Sequence, residues 1–349
     1  MNALFACPAR APRRRGAALF AALVLALAQT GAWAQAALET VRFQDYPGFG
    51  NLLVRIAISK GYCAKNGIEC KLLVLPSSPM GIQGLLAGSI DAALPSVDAV
   101  NQAVLRGSKM KYVAGGAVAS SMELVAGNHW ATPHAAEGFP AFIRDLKGAK
   151  IGVPGRGAPN ERYMSMMLTQ AGLDPEKDVT FVAVGGATTA YNALVSKQVD
   201  AVLSYEPMGS ICKVLETCKV LWRSAFDRKP EDIFAINGGA NGTVFLQDFI
   251  DRKPKIIDSV IRLLQESETF VNNPAHFEEI LRIDRPYFSL EMPRGDEIMT
   301  ASLHVALDAN MYRAHMSRKA MKAALDLMLA SHQLPKVLPV SDLILDRAP

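Results

Sequence analysis

The sequence predicts an α/β protein built as two similar lobes that face each other across a cleft and are joined by two crossing strands. Three observations carry this. Residues 76–98 read PSSPMGIQGLLAGSIDAALPSVD and residues 185–207 read GGATTAYNALVSKQVDAVLSYEP. Aligned on Asp91 and Asp200, both run a polar glycine-bearing loop, a short apolar helix, then [IV]DA and an apolar strand. The spacing repeats as well, with 50 positions from Val41 to Asp91 and 49 from Ile151 to Asp200. Finally, strands alternate with helices throughout both stretches, which implies right-handed βαβ units and a parallel-rich sheet in each half.

The elements follow in order. TVRFQDY (40–46) alternates as a strand, PGFGN is a loop, and LLVRIAISKGYCAKNG (52–67) is an apolar helix stopped by Asn-Gly. IECKLLVL (68–75) is the second strand, IQGLLAGS (82–89) the second helix and IDAAL (90–94) the third strand. A helix over 99–108 leads to a fourth strand over 110–118. The second copy has strands at 149–154, 179–184 and 199–204, with helices at 161–172 and 190–198. MELVAGN (122–128) and IFAINGGANGTVFLQ (233–247) bracket it as extended apolar segments, suited to crossing between lobes. Beyond residue 248 only helices are expected, over 254–273, 274–283, 294–312 and 317–333, packed against lobe one.

The first residues are set apart. Arg10, Arg13, Arg14 and Arg15 precede the apolar run AALFAALVLALA, and Ala32-Trp33-Ala34 has the small-x-small pattern of a cleavage site. This is an export leader over 1–34, too short in its apolar run for an ordinary membrane span. The leader holds four of the 37 basic residues and no acid, which leaves 33 positive against 33 negative charges. A balanced mature chain gives no reason to expect nucleic acid or an anionic membrane surface as partner.

Four cysteines remain in two local pairs, Cys63 with Cys70 and Cys212 with Cys218. Outside the cytoplasm, an even count at short spacing favours disulfides. A metal site is the rival, but C-x₂-C spacing and neighbouring histidines are missing.

In parallel α/β sheets, ligands bind beyond the carboxyl ends of strands, where loops open into helix N-termini. Four such loops occur: PGFGN, PSSPMG, GRGAPN and GGATT. Glycine admits close backbone approach, and the first-turn N–H groups attract carboxylate, sulfonate or phosphate oxygens. Ser77, Thr188 and Thr189 read equally as ligand hydroxyls or plain helix caps. Other strand ends add Ser96, Asp98, Tyr205 and Glu206, and the crossings add Ser120, Ser121 and Asn237. Tyr46, Phe49 and Tyr205 are candidate apolar walls, with core packing as the alternative.

KGYCAKNGIECKL, GLLAGSIDAAL, VLRGSKMKYVAG, RDLKGAKIGVPGRG, AGLDPEKDVTFV and ALVSKQVDAVLSYEP together resemble the exported solute-binding proteins of ABC importers, in the SsuA/THI5-like (NMT1) group. The resemblance spans about residues 38–345. It implies the periplasmic-binding-protein type II fold, with two hinge strands and a ligand cleft between lobe one (38–121 plus 240–349) and lobe two (122–239). It implies a monomer in the periplasm that hands its solute to a membrane permease and its ATPase subunit, and no cofactor. Carried over by motif, the ligand loops hold Phe49, Asn51, Ser77, Ser78, Ser96, Ser121, Gly157, Asn160, Thr188, Tyr205 and Glu206, with Tyr46 and Asn237 beside them. Where the family usually has Phe followed by Glu or Lys after KGY, Cys63 intervenes.

Catalysis is the competing class, since the THI5 branch includes pyrimidine-synthesising enzymes that use a histidine and a cysteine-rich motif. Here six histidines are scattered, no cysteine cluster exists, and no nucleophile elbow, Walker loop or H-E-x-x-H occurs. His129 and His134 are expected at the surface. A regulatory module would need a helix-turn-helix or a span leading to a signalling domain. The ligand expected first is a small organic anion, such as a sulfonate, nitrate-like ion or aromatic carboxylate. Asp98, Glu161 and Glu206 would instead suit an amine or a thiamine-type pyrimidine.

Overall fold

The computed structural model describes residues 38–349. The leader and its cleavage near Ala34 lie outside the described residues.

Strand β1 (Glu39–Asp45) pairs in parallel with β2 (Ile68–Val74). Between them lie helices α1 (Leu52–Ser59) and α2 (Tyr62–Lys65). One continuous helix was expected here. Gly61 breaks it by taking φ of 73°, a left-handed conformation that costs glycine little. α3 (Ser78–Ala87) starts four residues before its expected position, because Ser77 accepts a hydrogen bond from Met80 N and Pro79 stands in the first turn. The third strand of the repeat shrinks to two bridges, Ala92 with Phe43 in parallel and Ala93 with Val244 antiparallel. α4 (Val97–Leu105), β3 (Met110–Ala114) and β4 (Gly116–Ala117) complete this half.

The chain then enters lobe two through β5 (Met122–Gly127). β6 (Lys150–Val153), α5 (Pro159–Gln170), β7 (Thr180–Ala183), α6 (Ala187–Val195) and β8 (Ala201–Tyr205) follow as the expected βαβ repeat. α7 (Met208–Leu215) and β9 (Cys218–Arg223) extend it. The strand order is β7-β6-β8-β5-β9, with β5 antiparallel to both neighbours. Both faces of this sheet are covered. Ala201 and Leu203 join the core on one side, and Val202 joins the core on the other.

The return crossing departs from expectation. Residues 231–234 form a helical turn, and only Thr243–Leu246 is a strand, β10. Between them the glycine-rich loop folds back, with Gly238 N and Ala240 N both donating to Val118 O. A side chain at Gly239 would meet Met321 N at 2.5 Å, so glycine permits this close approach. β10 pairs antiparallel with β3. Taken with the two bridges, lobe one runs β2, β1, residues 90–94, β10, β3, which matches lobe two position by position.

Four longer helices close the chain: α8 (Pro254–Val271), α9 (Phe277–Asp284), α10 (Gly295–Asp308) and α11 (Arg318–Ala330). Two corrections arise here. The tail is not purely helical, since β11 (Tyr312–Arg313) pairs with β4. Nor does every helix pack on lobe one alone. α10 also packs on α7, and α11 places Met321 and Leu325 in one core while Ala324 and Leu327 enter the core of lobe two. A helix buried on two sides reads as a single apolar stripe in sequence, so its second partner is invisible there.

Candidate functional site

The cleft is built from strand ends. In lobe one, Tyr46 follows β1 and donates its hydroxyl to Leu94 O at 3.1 Å, with Ser78 Oγ 3.3 Å away. Ser96 N donates to the same Ser78 Oγ at 3.1 Å. Three predicted residues thus form one hydroxyl cluster where α3 and α4 begin. Asp98, in the first turn of α4, makes no hydrogen bond or ion pair among the described residues and is only partly exposed.

Burial raises the hydroxyls of Tyr46 and Tyr112 in lobe one and of Tyr163 and Tyr205 in lobe two, and the Asp98 charge adds to each. Tyr205 leaves 40% of its surface open, yet desolvation of its hydroxyl, then Asp98, push it up to about 12. Arg162 and the neighbouring Asn160 amide oppose that shift. Asp98 is thus near enough to act on tyrosines of both lobes.

Lobe two contributes the loops after β6 and β8. Gly157, at φ of 73°, donates to Glu161 Oε2 at 2.6 Å and accepts from Arg162 Nη1 at 2.5 Å. Asn160 is 1% exposed, and its Nδ2 has no acceptor. Arg162 Nε and Glu206 Oε2 are likewise buried without partners. Leaving such groups unpaired costs about 1–3 kcal/mol each, a cost that a bound molecule with matching groups removes.

Other predicted residues are occupied by the fold. Asn51 donates its side chain to Gln44 O, and Phe49 packs edge-on to Phe288 while its carbonyl accepts from Tyr312. Ser77 serves as the cap of α3. Thr188 is exposed with no side-chain bond, and Thr189 donates to Gly186 O within its own turn. Asn237 stitches the two crossings: Oδ1 accepts from Ser120 N at 2.8 Å, and Nδ2 donates to Ser224 O and Phe234 O. The Ser121 carbonyl accepts from Glu206 N at 2.9 Å.

Arg55 was not anticipated. It lies in the apolar α1 and donates to Asp45 and Asp284 as well as to the carbonyls of Tyr46 and Gly48, so it shapes the first loop from beneath. A single arginine inside LLVRIAIS was the available signal, because a buried cation needs partners. His129 and His134 pair with Asp200 and Asp145, away from the cleft. Both disulfides form, Cys63–Cys70 and Cys212–Cys218. Among the described residues no group of three or more His, Cys, Asp or Glu could hold a metal ion. A groove of about 990 Å³ lies elsewhere, between α7, β9 and α10.

A family model described as the NMT1-like family matches residues 50–283. The chain belongs to the NMT1-like family. Among relatives of this NMT1-like protein is a candidate binding protein of Brucella abortus (strain 2308), 27% identical over 264 residues, or 74% of this chain and 76% of the relative. Solved structures share the fold. The periplasmic aliphatic sulphonate binding protein SsuA from Escherichia coli has a TM-score of 0.66 at 16% identity, covering 89% of this chain and 98% of that one. The alkanesulfonate-binding protein SsuA from Xanthomonas axonopodis pv. citri, bound to MOPS, has a TM-score of 0.61 at 16% identity, covering 87% and 97%. The NMT1-like chain therefore has the periplasmic-binding-protein fold. No helix among its described residues is long and apolar enough to cross a membrane.

Proposed function

We propose that this protein is the exported solute-binding subunit of an ABC importer. Lobe one (38–121 plus 240–349) closes on lobe two (122–239) around a small solute, and the closed form delivers it to a permease and its ATPase in the cell membrane. The leader over 1–34 sends the chain to the periplasm, where the two disulfides are stable. The observation that carries this reading is the set of buried unpaired groups, Asn160 Nδ2, Arg162 Nε and Glu206 Oε2, opposite the unpaired Asp98. A solute touching both lobes favours closure through its differential contacts.

The ligand class follows from charge. Arg162 is a cation with an unpaired group beside the cleft loops, as is Arg223 behind them, while Asp98 and Glu206 are carboxylates there. That balance supports a solute with an amine or a donor-bearing heteroaromatic ring, such as a thiamine-type pyrimidine, over a simple sulfonate or nitrate-like anion. Tyr46 and Tyr205 would flank its ring. The activity is binding without turnover.

Native mass spectrometry of freshly purified protein, followed by a thermal-shift screen of amines, pyrimidines and sulfonates, tests this. A retained small molecule, and a higher unfolding temperature with it, are expected. An empty protein that no candidate stabilises would overturn the reading, and a covalently altered compound would point to the enzyme branch.

A further inference from the structure

The loop after β1 is held from two sides. Asp45 Oδ1 accepts from Tyr46 N at 2.9 Å, while Arg55 Nη2 donates to Tyr46 O at 2.8 Å. Arg55 Nη1 donates to Gly48 O at 2.7 Å, and Asp45 Oδ1 also accepts from Asn51 N at 2.9 Å, which closes the loop. The wrap is tight, since a side chain at Gly50 would meet Asp45 Oδ1 at 2.6 Å. With both its backbone groups fixed, Tyr46 extends its hydroxyl to Leu94 O at 3.1 Å, beside Ser78 Oγ.

Arg55 is in turn held by residues 284–288, where α9 ends. Asp284 Oδ1 accepts from Arg55 Nη1 at 2.5 Å, and Arg55 Cζ lies 4.8 Å from the centre of the Tyr287 ring. Phe288 meets Phe49 edge-on, with ring centroids 5.9 Å apart. Arg55 and Asp284 are buried, so neither meets a solute directly. The corresponding loop of lobe two is held differently. There Gly157 bonds to Glu161 and Arg162 of its own helix, α5, in contacts exposed to solvent.

We propose that the turn over 284–288 braces the solute loop of lobe one, with Arg55 as the positioning residue that carries its hold to Tyr46. This rests on the solute-binding reading, in which Tyr46 flanks the ligand. A guanidinium fixed by two carboxylates and covered on one face by a ring presents its remaining N–H groups in a single geometry. A loop kept in its bound shape loses little freedom when the solute arrives. The C-terminal helices thereby set affinity without touching the ligand.

Hydrogen exchange read by mass spectrometry on the solute-free protein tests the brace, with the Tyr46 and Asn51 N–H groups as reporters. Tyr287→Ala, at an exposed position, and Asp284→Asn should each speed exchange of a peptide covering 46–52 by about threefold or more, while a peptide covering 155–160 keeps the parent rate. An unchanged rate at 46–52 would overturn the proposal, and so would equal acceleration of both peptides, which reports lost global stability. Native mass spectrometry reads the cleft separately. Tyr287→Ala should retain the co-purified solute about threefold less at an unfolding temperature near the parent's. Faster loop exchange with unchanged retention would overturn the role in affinity. A parent that carries no solute would count against the solute-binding reading, and the exchange rates alone then decide the brace.

Discussion

Asp91 and Asp200 make the same pair of hydrogen bonds in the two lobes. Asp91 Oδ2 accepts from Arg42 N at 2.9 Å, and Asp200 Oδ2 accepts from Lys150 N at 2.8 Å, across 49 and 50 positions of chain. Each aspartate returns its own N–H to the carbonyl of the same partner, at 2.8 Å in both lobes. The [IV]DA signature is therefore a clamp that ties the third strand of each repeat to its first. Asp91→Ala and Asp200→Ala should each destabilise by about 1–3 kcal/mol, the scale of a charged hydrogen bond. Urea unfolding midpoints read this, and an unmoved midpoint would show that the clamp is dispensable.

Arg55 holds a buried triad. Its guanidinium meets Asp284 at 2.5 Å and Asp45 at 2.9 Å, with all three side chains at most 1% exposed. Arg55→Ala strands two carboxylates in the core and should cost about 3–5 kcal/mol. Arg55→Lys should rescue little, because an ammonium lacks the fork that reaches both acids and two carbonyls. Denaturant unfolding of the two variants checks the difference.

The same triad predicts a pH dependence. Burial raises the Asp284 carboxyl from 3.8 to about 6, against the pull of Arg55. Between those values the folded chain binds more protons at this site than the unfolded chain, so stability from this group falls as pH rises from about 4 to about 6. Asp284→Asn removes that slope. Thermal unfolding across this window should show the variant gaining on the parent as pH rises, and parallel curves would contradict it.

Each disulfide closes a short loop, with sequence separations of 7 and 6. Paired serine substitutions at Cys63 and Cys70, or at Cys212 and Cys218, should each cost about 2–3 kcal/mol on the chain-entropy view. The pairs sit in different lobes, so the costs should add. Unfolding midpoints of the two double variants and of the quadruple variant test this.

Solute contact from both lobes predicts coupling across the gap. With the co-purified solute, Asp98→Asn and Asn160→Ala should each weaken retention, and the double variant should depart from additivity by about 0.5–3 kcal/mol. Titration calorimetry measures the cycle. Strict additivity would place one of these residues outside the contact.

Much of the fold was legible because the repeat is local. Strand ends, loop chemistry and both cysteine pairs lie within a few residues of one another, where period and spacing suffice. The predicted cluster of Tyr46, Ser78 and Ser96 came together for the same reason, since equivalent strand ends converge at one edge of a parallel sheet. Asn51 was expected at the ligand by motif and Asn237 by its place at the second crossing, but their amides bond to nearby backbone instead. Which way a polar side chain turns depends on unpaired carbonyls and amides within reach, and spacing does not record those.

The amino-acid sequence alone determined the duplication, the α/β class and the loops at the strand ends, because each is written in short-range pattern. Only the tertiary structure decided that Arg55 meets Asp284, that Glu123 accepts from Gly209 N, and that α10 and α11 reach the second lobe. Those relationships join residues from about 80 to about 230 positions apart, and they depend on which buried charges and apolar faces are left to satisfy one another once the sheets have formed.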